Sequence, residues 1–215
     1  MSINLVAYKE SNPGERRVAI TPLIANEFKK LGVQVFCQSD FGNPAGFYDS
    51  QYSDTIFFDK ANKLDVIPDV IVKVVPPTLE EISNYPSNSV LIGMLSPYQQ
   101  QELLKIYCAK RITAFALEFV PRISRAQSMD VLTSQATISG YKAGILAANL
   151  SSRLFPMVST AAGTIKPAQV LVIGAGVAGL QVIATVKRLG AMVKAYDVRP
   201  QVKEQVESLG AKMIE

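Results

Sequence analysis

The segment VLVIGAGVAG, Val170–Gly179, constrains this chain more than any other. Four apolar residues run straight into three glycines at G-x-G-x-x-G spacing, which demands a buried strand, a tight turn and a helix in succession. Each glycine has a separate job. Gly174 permits the turn off the strand, Gly176 offers bare backbone to a close-lying group, and Gly179 lets the helix pack on the strand. The pattern continues as required: a helix over Val177 to Leu189 closed by Gly190, a strand over Val193 to Asp197, and a helix over Gln201 to Leu209 closed by Gly210. N–H groups opening the first helix would face a pyrophosphate. Asp197, 21 residues beyond Gly176, would accept hydrogen bonds from adenosine ribose hydroxyls and repel a 2′-phosphate. NAD(H) is therefore expected over NADP(H), although Arg199 could pair with a 2′-phosphate. The candidate cofactor-binding residues here are Gly174, Gly176, Val177, Ala178, Gly179, Asp197, Val198 and Arg199. The bland alternative is a glycine turn that holds no ligand.

Upstream, short apolar runs bounded by turn residues predict strands over Ile3 to Ala7, Val33 to Cys37, Asp69 to Val75, Val90 to Leu95 and Ile112 to Leu117. Helices are expected between them: Pro22 to Leu31, stopped by Gly32, and Pro97 to Lys110 with Ser96 as N-cap. A long helical pattern over Met129 to Phe155 follows, with Ile138, Tyr141, Ile145 and Ala148 on one face and Pro156 as terminator. Strand–helix alternation implies an α/β fold with two parallel-sheet, Rossmann-like or flavodoxin-like domains. We expect an N-terminal domain over 1–128, an interdomain helix over 129–155, and a dinucleotide-binding domain begun over 156–215 but truncated, with a further strand due at Glu215.

Composition removes several function classes. With 22 basic and 18 acidic residues the net charge is +4, and the basic residues are scattered, so no nucleic-acid footprint is expected. No apolar run reaches a membrane span, since Lys73 interrupts the most hydrophobic strand. The first residues do not resemble a signal peptide. Cys37 and Cys108 follow no metal-ligand spacing and read as small buried hydrophobes; no metal site is expected. The 215 residues contain no histidine, which removes the commonest general acid–base.

Four stretches together resemble the alanine dehydrogenase and transhydrogenase superfamily: Lys9-Glu10 with GERRVAITP (Gly14–Pro22), RISRAQSMD (Arg122–Asp130), the glycine fingerprint, and AYDVRPQVKE (Ala195–Glu204). The second stretch and Asp197-Val198-Arg199-Pro200 are the most specific, and point to the proton-translocating transhydrogenase branch. The resemblance implies that Arg122 and Gln127 hold nicotinamide, ribose or phosphate groups and that Asp130 helps orient the ring. Thr133 stands where the family usually has serine and keeps the hydroxyl. Without the resemblance, the same loop is a polar segment capping a helix. In the alanine dehydrogenase branch an arginine near Arg16 and Arg17 contacts the substrate carboxylate; here a surface pairing with Glu10 or Glu15 is an equal alternative.

Chemistry separates the branches. A dehydrogenase acting on an imino or keto acid moves a proton with the hydride. The resemblance to alanine dehydrogenases would place a second lysine after the 69–75 strand and a histidine after the 90–95 strand. The chain reads KVVPP (Lys73–Pro77) and GMLSP (Gly93–Pro97) at these places. Lys73 reads as a snorkelling lysine at a strand edge rather than a relic contact. Tyr141 and Lys142 are adjacent on a helix and do not share a face, so they form no proton-transfer pair. Hydride transfer between two nicotinamides needs no such pair, only proximity and orientation.

The resemblance thus implies an NAD(H)-holding component delivering hydride to NADP(H) on a partner, coupled to proton movement by membrane-spanning components. It further implies a homodimer, cytoplasmic and peripheral to the inner membrane through partner subunits, with this stretch alone expected to be inactive. The alternatives are an amino-acid dehydrogenase and a non-catalytic nucleotide-binding module.

Overall fold

The computed structural model describes residues 2–59 and 64–214, and its contacts divide the chain into two compact units, 1–129 and 130–215.

In the first unit, β1 (Ile3–Ala7), α1 (Pro22–Lys30), β2 (Val33–Gln38), β3 (Ile56–Phe58), β4 (Val70–Val72), α2 (Leu79–Ser83), β5 (Val90–Gly93), α3 (Gln101–Ala109) and β6 (Thr113–Ala116) follow in order. The six strands form one parallel sheet, β3-β2-β1-β4-β5-β6. Leu5 stands opposite Val35 on one side and Val70 on the other. Strand period decides the layers: Leu5, Ala7, Val35 and Cys37 join one buried cluster, while Val6 and Phe36 join another. Such double coverage explains why these strands read as continuous apolar runs.

Local signals set the helix ends. Thr21 caps α1 by accepting the Ile24 amide, Pro22 follows, and Gly32 leaves the helix at φ +77°. For α3 the expected start fails: the helix begins at Gln101, and Ser96 is no cap. The φ of Ser96 is +46°, and Glu118 accepts the Leu95 and Ser96 amides, so a carboxylate from the next strand's end takes over this corner. Neither β3 nor α2 stands out in the apolar pattern, because three and five residues are too short to show a period. The two cysteines differ: Cys37 is buried as expected, but Cys108 is exposed, lying on the outer side of α3.

The second unit contains α4 (Val131–Leu150), the antiparallel hairpin β7 (Val158–Thr160) and β8 (Gly163–Ile165), then β9 (Gln169–Ile173), α5 (Val177–Arg188), β10 (Met192–Tyr196), α6 (Lys203–Ser208) and β11 (Lys212–Met213). Its parallel sheet runs β11-β10-β9, so the strand expected at Glu215 has already formed at Lys212. Pro200 to Val202 is a 3₁₀ turn ahead of α6.

Helix α4 departs from expectation in two ways. It ends at Leu150, with Ser151 as C-cap, well short of Phe155. Its buried residues are Gly140 and Gly144, whereas Ile138 and Tyr141 are 59% and 53% exposed. The reason is close approach. A Cβ at Gly140 would overlap the Ala178 carbonyl oxygen, and one at Gly144 would press on Thr185 at 3.0 Å. Backbone contact with α5 selects residues without side chains, and an apolar periodicity cannot register them. Among the described residues no helix is long and apolar enough to cross a membrane.

Candidate functional site

The glycine turn is built as its spacing demands. Gly174 has φ +93°, a conformation that glycine adopts without penalty, and its amide donates to the Tyr196 carbonyl at 2.7 Å. Gly179 lies so close to the Gly174 carbonyl oxygen that any Cβ would overlap it. Gly176 is the N-cap of α5 and provides no side-chain cap, so the first-turn amides, including those of Val177 and Ala178, have neither intrahelical nor capping partners. A Cβ built at Gly176 would meet nothing within 4 Å except the Arg199 guanidinium, at 4.0 Å. The helix start is thus open and carries the positive end of the helix dipole.

Asp197 follows β10 and reaches back to this turn. Its Oδ2 accepts the Ala175 amide at 2.7 Å, while Oδ1 accepts the Arg199 amide at 2.9 Å. The Arg199 side chain adds Nε to Oδ1 at 3.0 Å and Nη2 to Oδ2 at 3.2 Å. These hydrogen bonds, that from the guanidinium first, hold the carboxyl well below the ordinary carboxylate range. Gly174, Gly176, Val177, Ala178, Gly179, Asp197, Val198 and Arg199 therefore gather at one edge of the sheet, where the strands end. The Ala175 amide, which sequence reasoning passes over, is the link between turn and carboxylate; alanine carries no signal for such a role.

Asp130 and Thr133 approach the same edge. Gly140 abuts Ala178 and Gln181, and Gly144 abuts Thr185 and Val186, so α4 and α5 run parallel. From that register α4 projects about seven residues, ~10 Å, past the start of α5. Asp130 is its N-cap, with Oδ1 accepting the Thr133 amide at 2.9 Å and Oδ2 the Thr133 hydroxyl at 2.7 Å.

Arg122 and Gln127 belong to the first unit. Both are exposed, Gln127 on the 3₁₀ turn Ser124–Met129 whose Ala126 is buried. Arg17 forks onto Glu15, with Nη2 at 2.7 Å and Nε at 2.9 Å, and this pairing draws the Glu15 carboxyl below its usual value. Arg16 donates to the Pro44 carbonyl at 3.3 Å.

Lys73 does not snorkel. Its side chain is fully buried, 2.8 Å from Glu81 and 3.5 Å from Glu10. Glu10 also accepts the Val74 and Val75 amides. Burial nonetheless pushes the Glu10 carboxyl above its usual value, against these lowering bonds. This triad ties the ends of β1 and β4 to α2. An ammonium engaged by two carboxylates is a fixed structural cation, unsuited to shuttle a proton. The capping box Thr78…Glu81 was the legible signal for α2, and the same Glu81 supplies the ion pair.

Residues 6–139 match the family model described as alanine dehydrogenase/PNT, N-terminal domain, and residues 143–215 match the corresponding C-terminal domain. Two similar proteins are each named as the first part of a split NAD(P) transhydrogenase subunit alpha. That of Rickettsia prowazekii is 45% identical over 218 residues, covering 99% of this chain, and that of Rhodospirillum rubrum is 45% identical over 214 residues, covering 96%. The chain spans 57% and 56% of their respective lengths. A solved transhydrogenase from Sinorhizobium meliloti superposes with a TM-score of 0.94 at 46% identity, over 99% of this chain and 64% of that one. An L-alanine dehydrogenase has the same fold, at a TM-score of 0.86 and 23% identity, over 98% of this chain and 60% of that one. Matched by both domains along nearly all of its length, this chain belongs to the alanine dehydrogenase/PNT family.

Proposed function

We propose that this chain is the NAD(H)-holding part of a transhydrogenase, passing hydride to NADP⁺ held by a separate component. The observation that carries the reading is the open start of α5 with the Asp197 carboxylate at its lip. The residues present suit NAD(H): a bare Gly176 for the pyrophosphate, first-turn amides for its oxygens, and a carboxylate for the adenosine ribose. The names of the two transhydrogenase relatives support the same assignment. We assign Arg122, Gln127, Asp130 and Thr133 to the nicotinamide side.

When bound, the dihydronicotinamide supplies the hydride. The chain's own residues bind and orient: Gly174, Gly176 and Gly179 shape the turn, Val177 and Ala178 present amides, and Asp197 takes the ribose hydroxyls. No acid–base pair is required of them, in keeping with 215 residues that contain no histidine and a Lys73 locked between carboxylates. Proton translocation, a membrane-spanning partner, a homodimer and a place at the inner-membrane surface are parts of the same proposal. The test is a direct one with the full-length protein. Transhydrogenation between NADH and an NADP⁺ analogue, in the presence of the NADP(H)-binding component, supports the reading; alanine-dependent NAD⁺ reduction without transhydrogenation refutes it.

A further inference from the structure

We propose that Arg199 is a displaceable gate on the ribose-binding carboxylate and, through it, sets how strongly the site prefers NADH to NADPH. This rests on the reading of Gly174 to Asp197 as a dinucleotide site.

A carboxylate offers about four acceptor positions, and at Asp197 four donors fill them. Two are backbone amides, of Ala175 and Arg199, and belong to the turn itself. The other two, Nε and Nη2 of Arg199, come from one planar fork. An adenosine ribose presents its 2′ and 3′ hydroxyls as a similar pair of donors. The two ribose bonds therefore need the positions that the guanidinium holds.

Position strengthens the argument. The guanidinium reaches from Asp197 to within 4.0 Å of the Cβ direction of Gly176, the face that the second glycine of the fingerprint leaves bare. It thus lies across the mouth between the carboxylate and the start of α5. Arg199 is also the partner that can leave. Its side chain is 57% exposed while that of Asp197 is 6% exposed, so release moves a solvated group and leaves the carboxylate in place. An exposed ion pair shifts an equilibrium by up to about fivefold, a small barrier to displacement.

Charge makes the gate selective. With Arg199 docked, Asp197 is largely neutralised and its repulsion of a 2′-phosphate is blunted. The freed guanidinium is moreover a ready partner for that phosphate. Removing the guanidinium while keeping Asp197 should therefore help NADH and harm NADPH at once.

The experiment is calorimetric titration of the full-length protein and its Arg199→Gln and Arg199→Lys variants with NADH and with NADPH. In Arg199→Gln, NADH should bind about threefold to fivefold more tightly and NADPH more weakly, raising selectivity roughly tenfold. Arg199→Lys, which keeps the charge without the fork, should fall between. Weaker NADH binding in Arg199→Gln, or equal shifts for both nucleotides, overturns the gate. Failure of the unsubstituted protein to bind NADH overturns the dinucleotide reading itself, and the gate with it; normal wild-type binding unchanged by Arg199→Gln overturns the gate alone.

Discussion

The Ala175 amide donates to the Asp197 carboxylate across 2.7 Å, joining the turn after one strand to the end of the next. Asp197 is thus both a piece of the turn's scaffold and the proposed ribose acceptor. Asp197→Asn keeps one oxygen for the Ala175 amide but offers a donor where acceptors are needed. NADH affinity should fall about tenfold to thirtyfold with little change in melting temperature, measured by titration and by thermal unfolding.

The same carboxyl yields a pH prediction. Its folded value is depressed, so the stability it contributes is present above the unfolded value of about 3.9 and is lost as pH falls through the lower folded value. Asp197 stays ionised from about pH 5 to 8, and NADH affinity over that range should not follow its titration. A drop in affinity centred near about pH 6 would contradict this assignment.

Gly179→Ala forces a methyl into the Gly174 carbonyl, and Gly140→Ala forces one into that of Ala178. Both obstacles are backbone, so relief requires a helix to move. Each should destabilise by about 1–3 kcal/mol or more in urea unfolding. Gly144→Ala meets the Thr185 and Val186 side chains at 3.0 to 3.3 Å, which can shift, and should cost clearly less than Gly140→Ala.

Removing the buried cation of the first unit should be strongly destabilising. Lys73→Met leaves Glu10 and Glu81 facing each other with no counter-charge, and should cost about 3–5 kcal/mol. Adding Glu81→Gln to that variant should recover some of the loss. Glu10 titrates in the opposite sense to Asp197. Its folded value is raised, so its contribution is full below the unfolded value and fades as pH rises through the folded one. Wild-type stability minus that of Glu10→Gln should therefore decline as pH climbs above about 4.3.

The cysteines should separate cleanly. Burial pushes the Cys37 thiol well above its usual value, while Cys108 is exposed. A thiol reagent should label Cys108 quickly and Cys37 only after unfolding, and Cys108→Ser should abolish the fast phase. Two fast thiols in the native protein would show that β2 is not packed as described.

Much of this molecule is legible in its sequence, because local rules govern it. Gly174 needs φ above zero and Gly179 a close helix, so spacing alone announces strand, turn and helix. Thr21-Pro22 and Gly32 mark the ends of α1 by the same kind of rule. The resemblance carried by Arg122 to Asp130 and by Asp197-Val198-Arg199-Pro200 points to the family that both domain matches report. What the tertiary structure alone decided lay wherever a partner distant in sequence set the outcome. The buried face of α4 went to Gly140 and Gly144 because α5 came within backbone contact. Lys73 became a buried cation because Glu10 and Glu81 converge on it from two other elements. Ser96 lost its capping role to Glu118, 22 residues further on. Periodicity and capping report on a chain's nearest neighbours; they hold no record of which carboxylate or helix folding will bring alongside.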